Sequence, residues 1–165
     1  MGPPYNTNAS HGNIIYSKQI KFIQINLEHS MVATNNLMKI IEEEGTDVLC
    51  LQEPYVIHNK IDDNPRKHKI YVSGEGRYRA AFVVTKSQID YLLLSQFSDE
   101  DTVALETVSD KGKIIIASKY FDINRQIDEE LHKIEAIIQQ AKGARFLLAI
   151  DSKSRSTWWH NNQTN

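Results

Sequence analysis

The chain has 165 residues, which fits one domain, and its 41% hydrophobic and 24% charged residues are ordinary for a globular protein. A formal net charge of −2 excludes a protein held on nucleic acid by a basic overall field, so such contacts must come from local clusters. The single cysteine, Cys50, excludes an internal disulfide, and its apolar surroundings in DVLCLQ predict a buried thiol.

The beginning of the chain predicts neither secretion nor membrane attachment. Residues 1–18 are polar and contain Gly and Pro, so we expect a loose tail before one domain at 19–165. The sequence has no apolar stretch near the ~18 residues that a membrane span needs, and no basic-then-apolar signal peptide. We therefore expect a nuclear or cytoplasmic protein that is not secreted and has no membrane partner.

The first predicted elements are a strand, a helix and a second strand. IKFIQIN at 20–26 has the apolar content of a buried strand. Ser30 is placed to cap a helix that Gly45 ends. DVLCLQ at 47–52 is the second buried strand, and this order is typical of a βαβ unit.

The middle of the chain predicts antiparallel strands. After a polar loop at 54–68, short β-type runs follow one another with turn residues between them, which is typical of a meander. The runs are KIYVS, AAFVVT, IDYLLLS, TVALETV and IIIASKY.

The last predicted elements are a helix and a strand. An apolar stripe at helical spacing predicts the helix, Gly143 ends it, and RFLLAI at 145–150 is a buried strand. The stripe consists of Ile127, Leu131, Ile134, Ile138 and Ala141. The whole pattern predicts a mixed α/β (α+β) fold. Because the block of strands is large, a two-sheet αββα sandwich fits it.

Polar residues stand where predicted strands end: Asn26, Glu53, Tyr120 and Asp151. The carboxyl ends of parallel strands meet at one edge of a sheet, where ligands bind. A carboxylate with an amide oxygen suits Mg²⁺. A second carboxylate can orient or deprotonate a water, and a phenol can donate to a developing oxyanion. This set favours metal-assisted hydrolysis of a phosphodiester.

The motifs around these residues resemble those of a known superfamily. FIQINLEHS, DVLCLQEPY, RAAFVV, IIIASKYF and LLAIDSKSRSTWW follow the order and approximate spacing of the endonuclease/exonuclease/phosphatase superfamily. They are most similar to the apurinic-endonuclease-like domain of non-LTR retrotransposons, in the R1-like insect branch, over about residues 20–161. A phosphomonoesterase or lipid phosphatase of the superfamily is the less favoured member, because LQEPY and RSTWW argue against it.

The resemblance implies a function and a role for each site residue. It implies a Mg²⁺-dependent endonuclease, with Mn²⁺ as a possible substitute, that nicks target DNA to prime reverse transcription. The implied partners are DNA and the reverse transcriptase domain of the same polyprotein. Glu53 would hold the metal with support from Asn26 and Glu28, Tyr120 would stabilise charge at the phosphate, and Asp151 would position the attacking water. His29 is expected to be a partly exposed loop histidine.

Two departures from the superfamily pattern favour an alternative. The motif is Asp, any residue, Asn, but here Lys153 takes the Asn position. An ammonium only donates, so Lys153 either grips a phosphate or pairs with Asp151, and we expect impairment. The Ser-Asp-His motif that ends the superfamily domain has no match after Asp151, so we expect an incomplete domain. The alternative is a catalytically impaired or inactive remnant that binds DNA weakly.

Further DNA contacts are predicted from basic and aromatic residues. Arg77 and Arg79 flank Tyr78, and Arg155 and Trp159 follow Asp151. Such groups can neutralise phosphates or face DNA, although solvated loop charge explains the arginines equally well.

Overall fold

Two four-stranded sheets pack face to face between two helices. The computed structural model describes residues 19–58, 60–61, 68–85 and 89–152. In chain order the elements are β1 (Phe22–Asn26), α1 (Met31–Glu44), β2 (Val48–Gln52), β3 (Val56–Ile57), β4 (Lys60–Ile61), β5 (Lys69–Tyr71), β6 (Ala80–Val84), β7 (Leu92–Leu93), β8 (Thr102–Ser109), β9 (Gly112–Tyr120), α2 (Ile127–Gln140) and β10 (Arg145–Asp151).

Each large sheet contains one parallel pair of strands. The first sheet has the order β1-β2-β6-β5, and only β1 and β2 run parallel. The second has the order β10-β9-β8-β7, and only β10 and β9 run parallel. The predicted αββα sandwich is confirmed, and the two parallel pairs are the strands whose ends carry the predicted site residues.

The first helix is fixed by its caps and by one apolar face. The Ser30 side chain accepts a hydrogen bond from the Ala33 N–H at 3.2 Å, and Gly45 ends the helix with a left-handed φ of 61°. That backbone conformation favours glycine because it has no Cβ. Leu37 and Ile41 pack against the first sheet. The helix predicted from these signals is confirmed.

The strand β2 is buried on both faces. Val48 and Cys50 belong to the core between the two sheets, whereas Leu49 and Leu51 pack toward α1. This explains the continuous apolar run, because alternate side chains of a strand point to opposite faces. Burial raises the pKa of the Cys50 thiol to about 12, so the predicted buried thiol is confirmed and stays protonated.

The second helix turns a different face inward than its apolar stripe predicts. Ile134 and Ala141 are buried as predicted, but so are Ile137 and Glu130. The members of the predicted stripe that remain exposed are Ile127 (57%), Leu131 (45%) and Ile138 (45%). Glu130 on this inner face forms an ion pair with Lys119, whose side chain is fully buried. Apolar periodicity cannot anticipate a buried acid on the inner face.

The predicted loop at 54–68 contains a small hairpin instead. The strands β3 and β4 pair antiparallel, with Val56 opposite Ile61 and Ile57 opposite Lys60. Ile61 is buried against the apolar layer under α1, which explains why this polar segment is drawn onto the domain. In the described ranges, neither helix has the length and apolar content that a membrane crossing requires.

Candidate active site

The ends of β1 and β10, which belong to different sheets, meet at the Asn26 side chain. Its amide nitrogen donates to Glu53 Oε2 at 2.8 Å and to Asp151 Oδ2 at 2.5 Å. One neutral amide therefore orders two carboxylates that come from opposite halves of the sandwich. We call Asn26, Glu53 and Asp151 the strand-end cluster.

Three contacts fix the orientation of the Asn26 amide. While its nitrogen donates to the two carboxylates, its oxygen accepts from the Glu28 main-chain N–H at 2.7 Å. The reversed amide would place oxygen against two carboxylates and nitrogen against an N–H, so only one orientation satisfies all partners. Glu28 thus joins the site through its main chain, and its side chain is exposed. In this arrangement Asn26 organises the carboxylates.

Glu53 follows β2 in an unusual backbone conformation. Its φ is 46°, in the left-handed region that non-glycine residues rarely adopt. Two main-chain hydrogen bonds hold it there: its N–H donates to the Arg79 carbonyl at 2.9 Å, and its carbonyl accepts from the His29 N–H at 2.8 Å. Such strain costs on the order of 1–3 kcal/mol and is common at functional sites. It is offset here by contacts that aim a nearly buried carboxylate at the strand ends.

His29 lies inside the site rather than in a remote loop. Its Nδ1 is 3.2 Å from the Pro54 carbonyl oxygen, and its Nε2 is 3.6 Å from Glu53 Oε1. Because a carbonyl only accepts, Nδ1 is the donor in this contact, and Nε2 faces the carboxylate. The side chain is 41% exposed, as the sequence predicted, but its position beside Glu53 was not predicted. The sequence feature that could have indicated this position is that His29 follows Asn26 by three residues.

Tyr120 and Asp151 lie opposite each other in the register of β9 and β10. The Phe121 N–H donates to the Asp151 carbonyl at 2.9 Å, which ties the end of β10 to the chain after β9. Tyr120 is 8% exposed, and the Arg79 guanidinium carbon is 5.3 Å from its ring centroid. The four residues predicted at strand ends therefore lie at one edge of the sandwich.

The two arginines flanking Tyr78 lie in different surroundings. Arg77 is exposed and lines a cleft of about 350 Å³. The lining residues are His29, Tyr55, Val56, His58, Gly76, Arg77 and Tyr78. Arg79 instead donates to the carboxylates of Asp101 and Asp122. Its charge is therefore directed into the protein, whereas Arg77 faces an open cleft that His29 also lines.

Arg79 is one member of an extended ion-pair network. Asp101 accepts from Arg79 and lies 3.1 Å from Arg125, which also reaches Glu100 at 2.7 Å. Asp99 pairs with Lys133. The ion-pair network consists of Arg79, Asp99, Glu100, Asp101, Lys119, Asp122, Arg125, Glu130 and Lys133. Its acidic residues lie mainly in the turn SDED, which the sequence pattern indicates only as a turn between strands.

Buried hydrogen bonds of Gln52 and Ser118, here called the polar seam, link the two sheets next to the strand-end cluster. The Gln52 amide nitrogen donates to Ser118 Oγ at 2.9 Å across the two sheets, and that hydroxyl donates to the Leu51 carbonyl at 3.1 Å. At the edge, the Gln24 amide nitrogen donates to the Ile150 carbonyl at 2.6 Å. These bonds join β1 and β2 to β9 and β10, so the two halves of the cluster are held in register.

The donor set at the strand ends fits a hard cation. Glu53 supplies a carboxylate, and Asp151 places a second one beside the same amide. Mg²⁺ takes one or two carboxylates and keeps several waters, so a site of this kind suits it. Across the part of the chain that the structure describes, no group of three or more His, Cys, Asp or Glu side chains is arranged to hold a metal ion.

Some predicted site residues cannot be placed. Lys153, Arg155 and Trp159 lie outside the described residues, as does the predicted tail at 1–18. Their roles stay predictions.

The chain is similar in sequence to a retrotransposon protein. It is 22% identical over 138 residues to a 115 kDa protein of the type-1 retrotransposable element R1DM from Drosophila melanogaster. The match covers 84% of this chain and 13% of that protein, so the chain spans a small part of its relative. No protein-family model matches.

Solved structures share the fold. The endonuclease domain of TRAS1, a telomere-specific non-LTR retrotransposon, superposes with a TM-score of 0.74 at 22% identity, covering 89% of this chain and 65% of that one. An endonuclease/exonuclease/phosphatase family protein from Leptotrichia buccalis superposes with a TM-score of 0.54 at 16% identity, covering 82% and 67%. The chain has the endonuclease/exonuclease/phosphatase fold, and the resemblance found in the sequence is confirmed.

Proposed function

We propose that the chain is a Mg²⁺-dependent endonuclease domain of a non-LTR retrotransposon polyprotein, which hydrolyses one phosphodiester of target DNA. One observation carries the proposal: the Asn26 amide joins Glu53 and Asp151 at the ends of parallel strands from both sheets. The nick would leave a 3′-hydroxyl that primes the reverse transcriptase domain of the same polyprotein. Such a protein acts in the nucleus, where its DNA target lies.

Each residue of the strand-end cluster, together with Tyr120, has a distinct task in this reaction. Glu53 would hold the metal, and Asn26 keeps its carboxylate and that of Asp151 oriented. Asp151 would orient the attacking water and accept its proton. Tyr120 would donate its phenolic proton to a phosphate oxygen as charge develops there. A bound Mg²⁺ supplies Lewis-acid stabilisation of the phosphate.

The cleft beside His29 offers a path for the DNA strand. Arg77 is exposed at this cleft, so its guanidinium can pair with a phosphate without first breaking a buried ion pair. Tyr55 and Tyr78 line the same cleft and offer ring surface to a sugar or base. Loss of a phosphate contact should weaken DNA binding in a salt-dependent way.

A second candidate function follows from the sequence after Asp151. Lys153 stands two residues after the carboxylate that is proposed to activate water, in the position of an asparagine. If its ammonium pairs with Asp151, the carboxylate becomes a weaker base. The chain would then be a catalytically impaired domain that binds DNA weakly.

The deciding experiment is nicking of supercoiled plasmid with Mg²⁺. The variants are the unmodified chain, Glu53→Gln, Lys153→Asn and Glu106→Gln. The last is a matched control, because Glu106 is a partly buried carboxylate in an ion pair with Lys113. Nicking that Glu53→Gln abolishes and Glu106→Gln preserves supports the endonuclease. Nicking that appears only in Lys153→Asn supports the impaired domain, and none in any variant overturns the proposed function.

Metal binding can be tested without catalysis. Mn²⁺ broadens NMR signals near its site, so the amide of Asn26 should broaden at low Mn²⁺ concentration. Glu53→Gln should reduce this broadening strongly, whereas Glu106→Gln should leave it unchanged. Equal broadening in both variants would remove Glu53 from the metal site.

A further inference from the structure

Arg79 contacts two of the proposed catalytic residues through different parts of its structure. Its carbonyl accepts from the Glu53 N–H at 2.9 Å, and its guanidinium lies 5.3 Å from the Tyr120 ring centroid. Its own N–H donates to the Glu100 carbonyl at 2.7 Å, which anchors the residue to the turn before β8. A single residue thus lies between the metal side and the phenol side of the site.

The guanidinium is held from two directions. Asp101 accepts from both Nε and Nη2, and Asp122 accepts from Nη1. Asp101 also holds the main chain of the tyrosine, because its carbonyl accepts from the Tyr120 N–H at 2.9 Å. Asp122 in turn accepts from the Asn124 N–H at 2.9 Å. The cation, the ring and the strand end therefore form one rigid unit.

Arg79 stays protonated in these surroundings. Burial alone would lower its pKa, but hydrogen bonds and charge from Asp101 and Asp122 raise the pKa above its ordinary value. A planar guanidinium can meet a carboxylate with two parallel bonds and still present its face to a ring, which an ammonium cannot do. The residue type matters here, and not the positive charge alone.

We propose that Arg79 is a positioning residue that, clamped by Asp101 and Asp122, holds the Tyr120 ring in the orientation needed to donate to the phosphate. The inference rests on the proposed function in so far as Tyr120 acts on the phosphate. Its structural content, a phenol oriented by a clamped guanidinium, is testable whether or not the chain nicks DNA. Arg79 touches neither water nor phosphate in this proposal.

The test compares two arginines of the ion-pair network. Arg79→Met removes the cation from the ring, whereas Arg125→Met breaks ion pairs to Glu100 and Asp101. The probe is the tyrosine ring signal in protein carrying ¹³C-labelled tyrosine, assigned by its loss in Tyr120→Phe. Arg79→Met should shift and broaden the Tyr120 signal. Arg125→Met should leave it in place, and Arg79→Lys should restore it only in part.

A second, milder variant keeps the test valid if Arg79→Met fails to fold. Asp122→Asn weakens one side of the clamp at a residue after β9, and it should move the Tyr120 signal in the same direction by less. In a chain that nicks DNA, Arg79→Met should lower kcat by about 10- to 100-fold with little change in KM, because misplacement of a catalytic group costs about this much. In the Tyr120→Phe background the same substitution should add little.

The outcomes separate the two proposals. A Tyr120 signal that moves in Arg79→Met and Asp122→Asn supports the positioning role, even where no variant nicks DNA and the proposed function has failed. A signal that stays in place in both variants, or moves equally in Arg125→Met, overturns the positioning role. So does an equal loss of kcat from Arg79→Met with and without the Tyr120 hydroxyl.

Discussion

The strand-end cluster and the ion-pair network hold their carboxylates in opposite ways. In the network, Asp101 accepts from the Arg79 side chain and Glu130 forms an ion pair with Lys119, so each buried charge meets an opposite one. In the cluster, Glu53 and Asp151 both accept from the neutral amide of Asn26. The amide orders the two carboxylates and carries no charge of its own. The first arrangement stabilises a fold, whereas in the proposed function the second places two carboxylates where a cation would bind.

The largest effect is expected from removal of the Asn26 amide, which tests whether the cluster serves activity and not stability. Asn26→Ala should lower Glu53-dependent nicking by about 100- to 1000-fold, the usual cost of losing one preorganised donor. The free energy of unfolding should change much less, because the residue is only partly buried. Plasmid nicking and urea denaturation measure the two effects. A large loss of stability with full activity per folded molecule would assign Asn26 to the fold instead.

Removal of a cation from the ion-pair network should instead lower the free energy of unfolding. Lys119→Met leaves the buried Glu130 carboxylate without its main cation and should cost about 3–5 kcal/mol of unfolding free energy. Lys119→Met combined with Glu130→Leu should recover most of that loss, because no buried charge is left unpaired. Urea denaturation curves of both variants test this. A double variant as unstable as the single one would contradict it.

The polar seam under the cluster gives a smaller effect. Ser118→Ala removes the acceptor of the Gln52 amide and the donor to Leu51, so it should cost about 1–3 kcal/mol. Gln52→Met should cost less. Gln52 Oε1 is buried with no hydrogen-bond partner in the described residues, and the substitution removes this atom together with the donor. Ser118→Ala should therefore have the lower melting temperature of the two variants. A lower melting temperature for Gln52→Met would refute this account.

The smallest expected effect concerns pH. The Asn124 N–H and the Arg79 guanidinium hold the pKa of Asp122 below its ordinary value of 3.8. The folded state thus binds this proton less readily than the unfolded one, so the stabilisation is complete above pH 3.8 and is lost as pH falls through the folded pKa. Asp122→Asn should flatten this acid limb of melting temperature against pH. Parallel curves for the two proteins would show that Asp122 does not contribute.

The parts of the fold that follow local rules could be predicted from the sequence. Ser30 and Gly45 bound the first helix, and the apolar run around Cys50 marks a strand covered on both faces. The positions of Asn26 and Asp151 at strand ends were also predictable. Their contact depends on two separate sheets packing in one register, which no local pattern encodes.

The electrostatics of the interior could not be predicted in this way. Lys119 and Glu130 are charged residues that ordinarily face solvent, and only their pairing allows both to be buried. Arg79 was predicted to contact DNA because it stands beside Tyr78 and Arg77 in the sequence. Its contacts with Asp101 and Asp122 depend on tertiary structure, and a DNA contact at this residue stays a prediction.

The hydrogen bond between Asn26 and Asp151 joins residues 125 positions apart in the chain. Contacts this distant form late, because most of the chain must be ordered before the loop between them can close. A growing chain on the ribosome can form β1 and α1 early, but it has no cluster until β10 has been made and has docked. If the proposed function holds, nicking activity should therefore appear during refolding together with the last folding phase.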